Sequence, residues 1–222
     1  PSAIFSAGDE DNVDESAPYP EHFLADYPRT KAAAEKIVMG ANDDGLATVS
    51  LRPHLIWGPG DPHLVPRIVD RARRGRLRLL GKRKNLVDST YIDNAAEAHI
   101  LAIDRIQPGA ACAGKTYFIS NAEPLPMAEL VNRILAAAGL PAEHRTVPPG
   151  IAYAVGATLE GFYSLIGRTE EPPVTRFVAK QLSTSHWYDL TAARRDLGYD
   201  PIVSIDEGMK RLAEAFSYSK PR

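Results

Sequence analysis

Tyr27 and Lys31 are the two residues whose types and spacing most directly suggest chemistry. They stand four residues apart in the alanine-rich segment YPRTKAAAEK, so a helix there would place both side chains on one face. A lysine ammonium near a phenol favours the phenolate, which brings such a phenol into the range of a proton donor at neutral pH. A tyrosine and a lysine also meet at this spacing by chance on many exposed helices, so the pair alone does not establish an active site.

Alternating helices and strands would position this pair. Apolar spacing and terminal residues predict helices in both halves of the chain. In the first half they cover residues 28–40 and 62–74, and a third helix runs from Asp93 as N-cap through Ala102. In the second half one helix runs from Pro126 to a cap at Gly139, and the others cover residues 151–166, about 175–181, 191–197 and 205 to about 216. Strands are predicted over residues 46–51, stopped by Pro53, and over residues 85–92 and 115–120. This alternation is typical of an α/β fold with a parallel sheet covered on both faces.

The helix-rich second half is predicted to form a cap beside the sheet, with a substrate crevice at the carboxyl ends of the strands. Its most apolar stretch, residues 151–166, contains Glu160 and is shorter than the roughly 20 residues of a membrane-spanning helix. The favoured interpretation is a buried helix. The alternative is an apolar wall or lid that contacts a hydrophobic substrate or a membrane surface.

Composition excludes several classes of function. The chain has 222 residues, with 26 Lys and Arg against 28 Asp and Glu, so no strong positive field is present and nucleic-acid binding is not expected. The histidines show no paired metal spacing, and the single Cys112 has no partner for a disulfide or a Cys-rich metal site, which favours an inert thiol in a reducing cytoplasm. The acidic start predicts no signal peptide, and a chain that begins at Pro1 on an apolar run suggests part of a longer protein.

Several longer segments resemble the extended short-chain dehydrogenase/reductases, and in particular their 3β-hydroxysteroid dehydrogenase-like branch. These segments are YPRTKAAAEKIV, LRPHLIWGPGD, VDSTYIDNAAEAHILA and ARRDLGYDPIVSIDEGM, in the order of the family and over almost the whole chain. The resemblance implies that residues 1–120 are the remaining part of a Rossmann-type, doubly wound dinucleotide-binding domain, and that residues 121–222 are mainly a substrate-binding cap. Within this branch, PHLIWGPGDPHLVPRI, GAACAGKTYFISNAEPLPM and QLSTSHWYDLTAARRDLGY are similar to enzymes that reduce long-chain 2-alkyl-3-keto acids in bacterial olefin biosynthesis.

The resemblance also implies roles for individual residues. Tyr27 would donate a proton to the forming alkoxide, and Lys31 would assist it and hold the nicotinamide ribose. Pro53, His54 and Leu55 would line the nicotinamide pocket, although a simple turn at the end of a strand explains them equally well. The third catalytic residue of the family is a Ser or Thr near the end of the preceding strand, for which Ser2 is the candidate and Ser6 a weaker one.

The cofactor implied by the family is NADP(H), with NAD as the alternative, but a glycine-rich G-x-G-x-x-G turn does not occur in these 222 residues. Gly58-Pro59-Gly60 cannot replace it, because proline lacks an amide donor. The choice between NAD and NADP therefore cannot be read, and we expect the isolated chain to be inactive.

Three functions stay open for the chain. The first is reduction of a long-chain β-keto acid, the second is a 3β-hydroxysteroid or sterol-4-carboxylate dehydrogenase, and the third is a non-catalytic assembly module that binds olefin-pathway enzymes. The basic segment of residues 67–84 is interpreted first as a solvated helix face and second as an attraction site for a substrate carboxylate or a partner enzyme. We also expect a homo-oligomer, because apolar faces left uncovered in these residues would favour association.

Overall fold

The computed structural model describes residues 3–81, 84–168, 170 and 172–218. Its helices are α1 (Asp26–Gly40), α2 (Leu64–Arg73), α3 (Ile92–Arg105), α4 (Met127–Ala137), α5 (Pro149–Leu165), α6 (Arg176–Gln181), α7 (Thr191–Leu197) and α8 (Ile205–Tyr218). Its strands are β1 (Glu10–Val13), β2 (Val49–Pro53), β3 (Ile56–Trp57), β4 (Leu79–Leu80), β5 (Leu86–Val87), β6 (Thr90–Tyr91), β7 (Lys115–Ile119), β8 (Leu125–Pro126), β9 (Thr146–Val147) and β10 (His186–Tyr188).

The strands pair mostly in parallel, as the alternation of helices and strands predicts. One sheet has the order β1-β10-β5-β8, and three further parallel pairs are β2 with β7, β3 with β6, and β4 with β9. The pairing of β5 with β8 is antiparallel. The longest continuous register joins β2 to β7, from Val49 opposite Lys115 to Pro53 opposite Ile119. These pairings confirm the α/β class.

Two hydrophobic clusters form the core. One surrounds Trp57, Tyr91 and Ile134, and brings α2 and α4 together with α8. The other surrounds Tyr117, Phe118 and Tyr199, and packs α7 against both α3 and β7. Each cluster contains side chains from both sides of residue 120, so both halves of the chain build both parts of the core.

The predicted strands differ from the structure in two places. The strand expected at residues 46–51 is β2, which begins three residues later and includes Pro53, because its pairing with β7 runs from Val49 to Pro53. The charge of Arg52, which is buried in this strand, is compensated by an ion pair with Glu35. The strand expected at residues 85–92 is two short strands, β5 and β6, separated at Asp88 and Ser89. The Asp88 carboxylate accepts a hydrogen bond from Tyr188 N at 2.9 Å, which connects this break to β10.

Asp93 is not the N-cap that the sequence predicts. Helix α3 begins at Ile92 with Tyr91 as its N-cap, so Asp93 lies in the first turn, where its negative charge is favourable beside the helix N-terminus. The other helices agree with their predicted positions within about two residues at most ends, as is usual for helix boundaries.

The expectation that residues 151–166 form a buried helix is wrong about burial. Helix α5 is present, but Phe162 is 54% exposed and Leu165 is 84% exposed, and the buried residues of the helix are Ala152 and Gly156. Among the described residues α5 packs mainly against α6, where Gly156 allows the two backbones to approach closely. Among the described residues, none of the helices is long and apolar enough to cross a lipid bilayer.

Candidate active site

The first turns of α1 present the predicted pair. Tyr27 is the second residue of the helix and is 60% exposed, and Lys31 follows one turn later, also exposed. The opposite face of the helix is anchored by Pro28 and Ala32, which are its buried residues. Pro28 and the small Ala32 therefore let this face of α1 pack closely, while Tyr27 and Lys31 face outwards together.

Two adjoining cavities meet at Tyr27. Cavity A, of about 550 Å³, is lined by residues that include Tyr27, Lys31 and Pro53. Cavity B, of about 440 Å³, is lined by residues that include Tyr27, Pro53, His54 and Leu55. The structure thus brings together Tyr27, Lys31, Pro53, His54 and Leu55, with Tyr27 and Pro53 at the boundary between the two cavities.

The wall of cavity B contains a backbone segment with an unusual conformation. Leu55, between β2 and β3, has φ of +44°, a left-handed conformation that is uncommon for a bulky residue. Thr90 holds this segment in place, because its hydroxyl donates to the His54 carbonyl at 2.8 Å and its amide donates to the Leu55 carbonyl at 3.2 Å. The segment is therefore a fixed wall of the cavity.

His54 is buried in a cluster of rings and not at the open surface of the cavity. Its ring lies edge-on to His186 and Tyr188, at centroid distances of 5.7 Å and 5.4 Å. Burial, followed by the nearby His186, lowers the pKa of His54 well below its ordinary range, so the ring is neutral at pH 7. Within the described part of the chain, its Nε2 has no hydrogen-bond partner.

Behind Lys31, an ion pair joins α1 to β2. Glu35 accepts from Arg52 Nε at 2.9 Å, from the Tyr19 hydroxyl at 2.6 Å and from the Ser50 hydroxyl at 2.8 Å. Burial of Glu35 opposes its ionisation, but these hydrogen bonds outweigh burial and lower its pKa to about 2. Lys31 has no ion-pair partner among the residues described, so its charge is available to a ligand in cavity A.

Of the two candidates for the third catalytic residue, Ser6 is described by the structure and is not part of this arrangement. Ser2 lies outside the described residues. Ser6 is exposed, its amide donates to Glu10 Oε1 at 3.2 Å, and it is not among the described residues that line cavity A or cavity B. In the basic segment, Lys82 and Arg83 also lie outside the described residues, whereas Arg71 Nη2 donates to the Pro173 carbonyl at 2.8 Å and is therefore more than a solvated surface charge.

Sequence reasoning missed two buried asparagines that support the site. Asn94 Nδ2 donates to Asn121 Oδ1 at 2.9 Å and to the Val203 carbonyl at 2.7 Å, and Asn121 Oδ1 also accepts from Tyr91 N at 2.8 Å. This asparagine clamp ties β6 and the start of α3 to the segment before α8. An amide among the apolar positions of a predicted helix was the available signal, because buried polar side chains need partners.

The arrangement is suited to proton transfer at a carbonyl oxygen. A phenol and an unpaired ammonium face one cavity, and the phenol also reaches a second cavity with an apolar wall. Such a phenol can donate its proton to an oxygen that becomes an alkoxide, while the ammonium stabilises the phenolate that remains.

Comparison with known sequences gives a consistent family. The sequence model of the 3-beta hydroxysteroid dehydrogenase/isomerase family matches residues 2–149. The chain is 59% identical over 198 residues to a 2-alkyl-3-oxoalkanoate reductase of Stenotrophomonas maltophilia, covering 89% of this chain and 60% of the relative. It is 54% identical over 220 residues to the 2-alkyl-3-oxoalkanoate reductase of Shewanella oneidensis, covering 96% and 57%. A decarboxylating sterol-4-alpha-carboxylate 3-dehydrogenase of Mus musculus is 33% identical, covering 98% and 61%.

Solved structures agree on the fold. A crystal structure of gox2253 matches with a TM-score of 0.72 at 21% identity, covering 98% of this chain and 64% of that chain. A UDP-glucuronic acid 4-epimerase from Bacillus cereus in complex with NAD matches with a TM-score of 0.67 at 17% identity, covering 97% and 59%. At these identities the likeness concerns the fold alone. The chain spans about three fifths of the length of the curated relatives it matches.

Proposed function

Because this chain belongs to the 3-beta hydroxysteroid dehydrogenase/isomerase family, we propose that the protein is an NAD(P)H-dependent reductase that converts the ketone of a long-chain 2-alkyl-3-keto acid into the corresponding alcohol. The observation that carries this proposal is the position of Tyr27 and Lys31 on one face of α1, at the meeting point of two cavities. The identity of 54–59% to two proteins named 2-alkyl-3-oxoalkanoate reductase supports the substrate class.

In this mechanism, Tyr27 Oη donates its proton to the carbonyl oxygen of the substrate. The positive charge on Lys31 Nζ stabilises the phenolate electrostatically, since that charge is not neutralised by Glu35, which is occupied by Arg52. The rigid wall at Leu55 limits the orientations of the ketone in cavity B. A bound nicotinamide cofactor would supply the hydride.

Cavity A fits the nicotinamide ribose end of a dinucleotide. Its volume of about 550 Å³ lies within the range of small-molecule sites, and Tyr27 and Lys31 offer a hydroxyl and an ammonium to ribose hydroxyls. Pro53, with His54 and Leu55 behind it, would contact the nicotinamide ring. NADP(H) is the proposed cofactor, with NAD as the alternative, and Ser2 stays the proposed third catalytic residue.

Other properties belong to the same proposal. Residues 1–120 would form the cofactor-binding part and residues 121–222 mainly the substrate cap. The exposed Ile37, Ile100 and Ile103 on α1 and α3 support a homo-oligomer or contacts with olefin-pathway enzymes. The buried, unpaired thiol of Cys112 is compatible with a cytoplasmic location.

The replacement Tyr27→Phe tests the central claim. Loss of a general acid typically reduces turnover by about 10²–10⁴-fold, so kcat of the complete protein with a 2-alkyl-3-keto acid should fall by that amount. The Kd for NADPH should rise by no more than about tenfold, because the variant loses one hydrogen bond to the ribose while the exposed ring stays in place. Tyr163→Phe, on α5 outside cavities A and B, is the matched control and should retain normal turnover. Turnover of Tyr27→Phe within about threefold of the unmodified protein would contradict the proposed role.

A sterol-4-carboxylate dehydrogenase is the second candidate, favoured by relatives of 33% identity that carry this name. The two candidates differ in the substrate with the higher kcat/KM. We expect a long-chain 2-alkyl-3-keto acid to be preferred over a sterol-4-carboxylate, and the reverse preference would replace the first candidate with the second.

A further inference from the structure

A third cavity extends from the candidate site into the space between α2, α4 and α6. Cavity C, of about 270 Å³, has walls made mainly of apolar side chains, among them Ile68, Leu79, Met127 and Val178. It shares Leu55, His63 and Gln181 with cavity B. The two cavities therefore adjoin at these three residues, and Tyr27 lines the neighbouring cavity B.

Cavity C also carries positive charge. Arg67 and Arg71, on successive turns of α2, and Arg78 in the following segment contribute to its lining. Arg71 and Arg78 donate to backbone carbonyls, and the nearest acidic residue in sequence, Asp70, pairs with Arg74 instead. No ion pair involves Arg67, Arg71 or Arg78 in the described ranges. An apolar cavity with three unneutralised guanidinium groups is complementary to an anion with a hydrocarbon chain.

Arg71 and Arg67 differ in how far they are buried. Arg71 is half-buried, and burial together with the nearby charge of Arg67 lowers its pKa from the ordinary range. Arg67 is exposed, and its backbone amide donates to the carbonyl of His63 one turn earlier. Since His63 lines both cavities, Arg67 stands close to the boundary between B and C.

We infer that cavity C binds the 2-alkyl arm of an anionic long-chain substrate and that Arg67 holds its carboxylate at the entrance from cavity B. This assignment rests on the proposed reductase function. In a 2-alkyl-3-keto acid the carboxylate carbon (C1) and the ketone carbon (C3) are both bonded to C2, and the alkyl arm is also attached to C2. A carboxylate at the boundary therefore allows the ketone to enter cavity B while the arm enters cavity C.

The apolar face of α5 is the alternative location for the arm. Its residues Ile151, Phe162 and Leu165 are exposed and are not among the described residues that line cavity C. A flat exposed face excludes water from one side of a chain only, whereas a cavity surrounds it and removes more apolar area from water. Cavity C is therefore the better site for chain-length discrimination.

A binding experiment with the complete protein tests the anion site without depending on catalysis. We expect tetradecanoate to bind, and Arg67→Gln to weaken its Kd by about tenfold, because a charge-assisted hydrogen bond is lost. Arg76→Gln removes the same charge from the same segment but lies outside the described cavity linings, so it should leave the Kd within about twofold. The Kd of tetradecanol, which has no carboxylate, should be the same for both variants and the unmodified protein.

A kinetic experiment tests the hydrocarbon part. Val178→Phe narrows cavity C, so kcat/KM for a 3-keto acid with a 2-decyl arm should fall by about tenfold or more, while the value for a 2-methyl arm should stay within about twofold. Val155→Phe makes the same replacement on the exposed face of α5 and should change neither value. Tetradecanoate should inhibit the reduction competitively with the keto acid.

The outcomes separate this inference from the proposed function. If the protein reduces 2-alkyl-3-keto acids but tetradecanoate does not bind, or binds equally well to Arg67→Gln, the assignment of cavity C is overturned and the reductase proposal stands. Equal effects of Val178→Phe on short and long arms, or non-competitive inhibition by tetradecanoate, would also overturn it. If ketones are not reduced, the proposed function fails, and the Arg67 and Arg76 variants still decide whether cavity C binds a long-chain anion.

Discussion

Asp88 lies where β5 gives way to β6, and its side chain is 1% exposed. One carboxylate oxygen accepts from Tyr188 N, and the other has no hydrogen-bond partner among the described residues. Burial raises its pKa from the ordinary 3.8 to about 6, although the bonds from Tyr188 and Ser120 oppose this shift. The folded state therefore favours the protonated carboxyl. Its contribution to stability is complete below about pH 4 and is lost as pH rises through about 6.

Asp88→Asn should remove this pH-dependent loss. At pH 8 the variant should be more stable than the unmodified protein by about 1–3 kcal/mol, and at pH 4 the two should be nearly equal, since the amide keeps the acceptor oxygen without a charge. Urea unfolding at both pH values measures the difference. Asp104→Asn, at an exposed position of α3, is the control. A variant that is less stable than the unmodified protein at pH 8 would show that the ionised carboxylate is needed.

The buried histidines change the stability of the fold in the opposite direction between about pH 4 and 6.5. Burial lowers the pKa of His186 to about 4, so its contribution to stability is present above about pH 6.5 and is lost as pH falls towards 4. The comparison of variants at each pH isolates Asp88, because both histidines are the same in each protein.

Helix α8 packs through a glycine. A Cβ at Gly208 would lie 2.7 Å from Tyr91 Cδ2 and 2.9 Å from Trp57 Cη2, and both rings are buried in the same cluster. Trp57 is further held by a hydrogen bond from its Nε1 to Ser89 Oγ at 3.0 Å. Because neither ring can move easily, the close contact between α8 and the core requires a residue without a side chain at position 208.

Gly208→Ala should therefore lower the free energy of unfolding by about 1–3 kcal/mol, although alanine favours helices by about 1 kcal/mol. Gly161→Ala, in α5, is the matched control. A Cβ there meets no atom within 4 Å, so this variant should be more stable by about 0.5–1 kcal/mol. Urea unfolding of both variants measures whether the free energy of unfolding falls for Gly208→Ala and rises for Gly161→Ala. Stabilisation by Gly208→Ala would mean that the α8 packing is looser than described.

At the scale of the whole molecule, the two core clusters and the asparagine clamp join distant parts of the chain. The clamp connects Asn94 and Asn121 to Val203, which is more than 80 residues further along than Asn121. The candidate site lies beside β2, which pairs with β7 on one edge in the described part of the sheet. The structure thus holds Tyr27 and Lys31 in place, but the 222-residue sequence contains no G-x-G-x-x-G turn that could bind a pyrophosphate.

Residues 1–222 alone should accordingly bind NADPH only weakly, with no saturation at micromolar concentrations. The reason is that Lys31 is then the main cationic contact, since no glycine-rich turn at a helix N-terminus is present to bind the pyrophosphate. Isothermal titration of the isolated chain measures this, after circular dichroism and a cooperative thermal transition have shown that it is folded. A micromolar Kd would mean that these residues bind the pyrophosphate by another route.

Much of the local structure and of the candidate pair could be read from the sequence. The spacing of Tyr27 and Lys31 placed them on one helix face, and terminal residues such as Gly139, which has a φ of +70° just after α4, marked helix ends. These features depend on interactions between residues three or four positions apart, which a sequence displays directly.

Only the tertiary structure decided the rest. Strands such as β3, β4 and β9 have two residues each and exist because a partner lies far away in the chain, as Leu79 pairs with Thr146. The exposure of α5, the burial of Arg52 beside Glu35 and the position of cavity C next to cavity B also depend on which elements meet. A sequence pattern reports the period of an element, whereas the surface against which that element packs is set by long-range contacts between segments that are not neighbours in the chain.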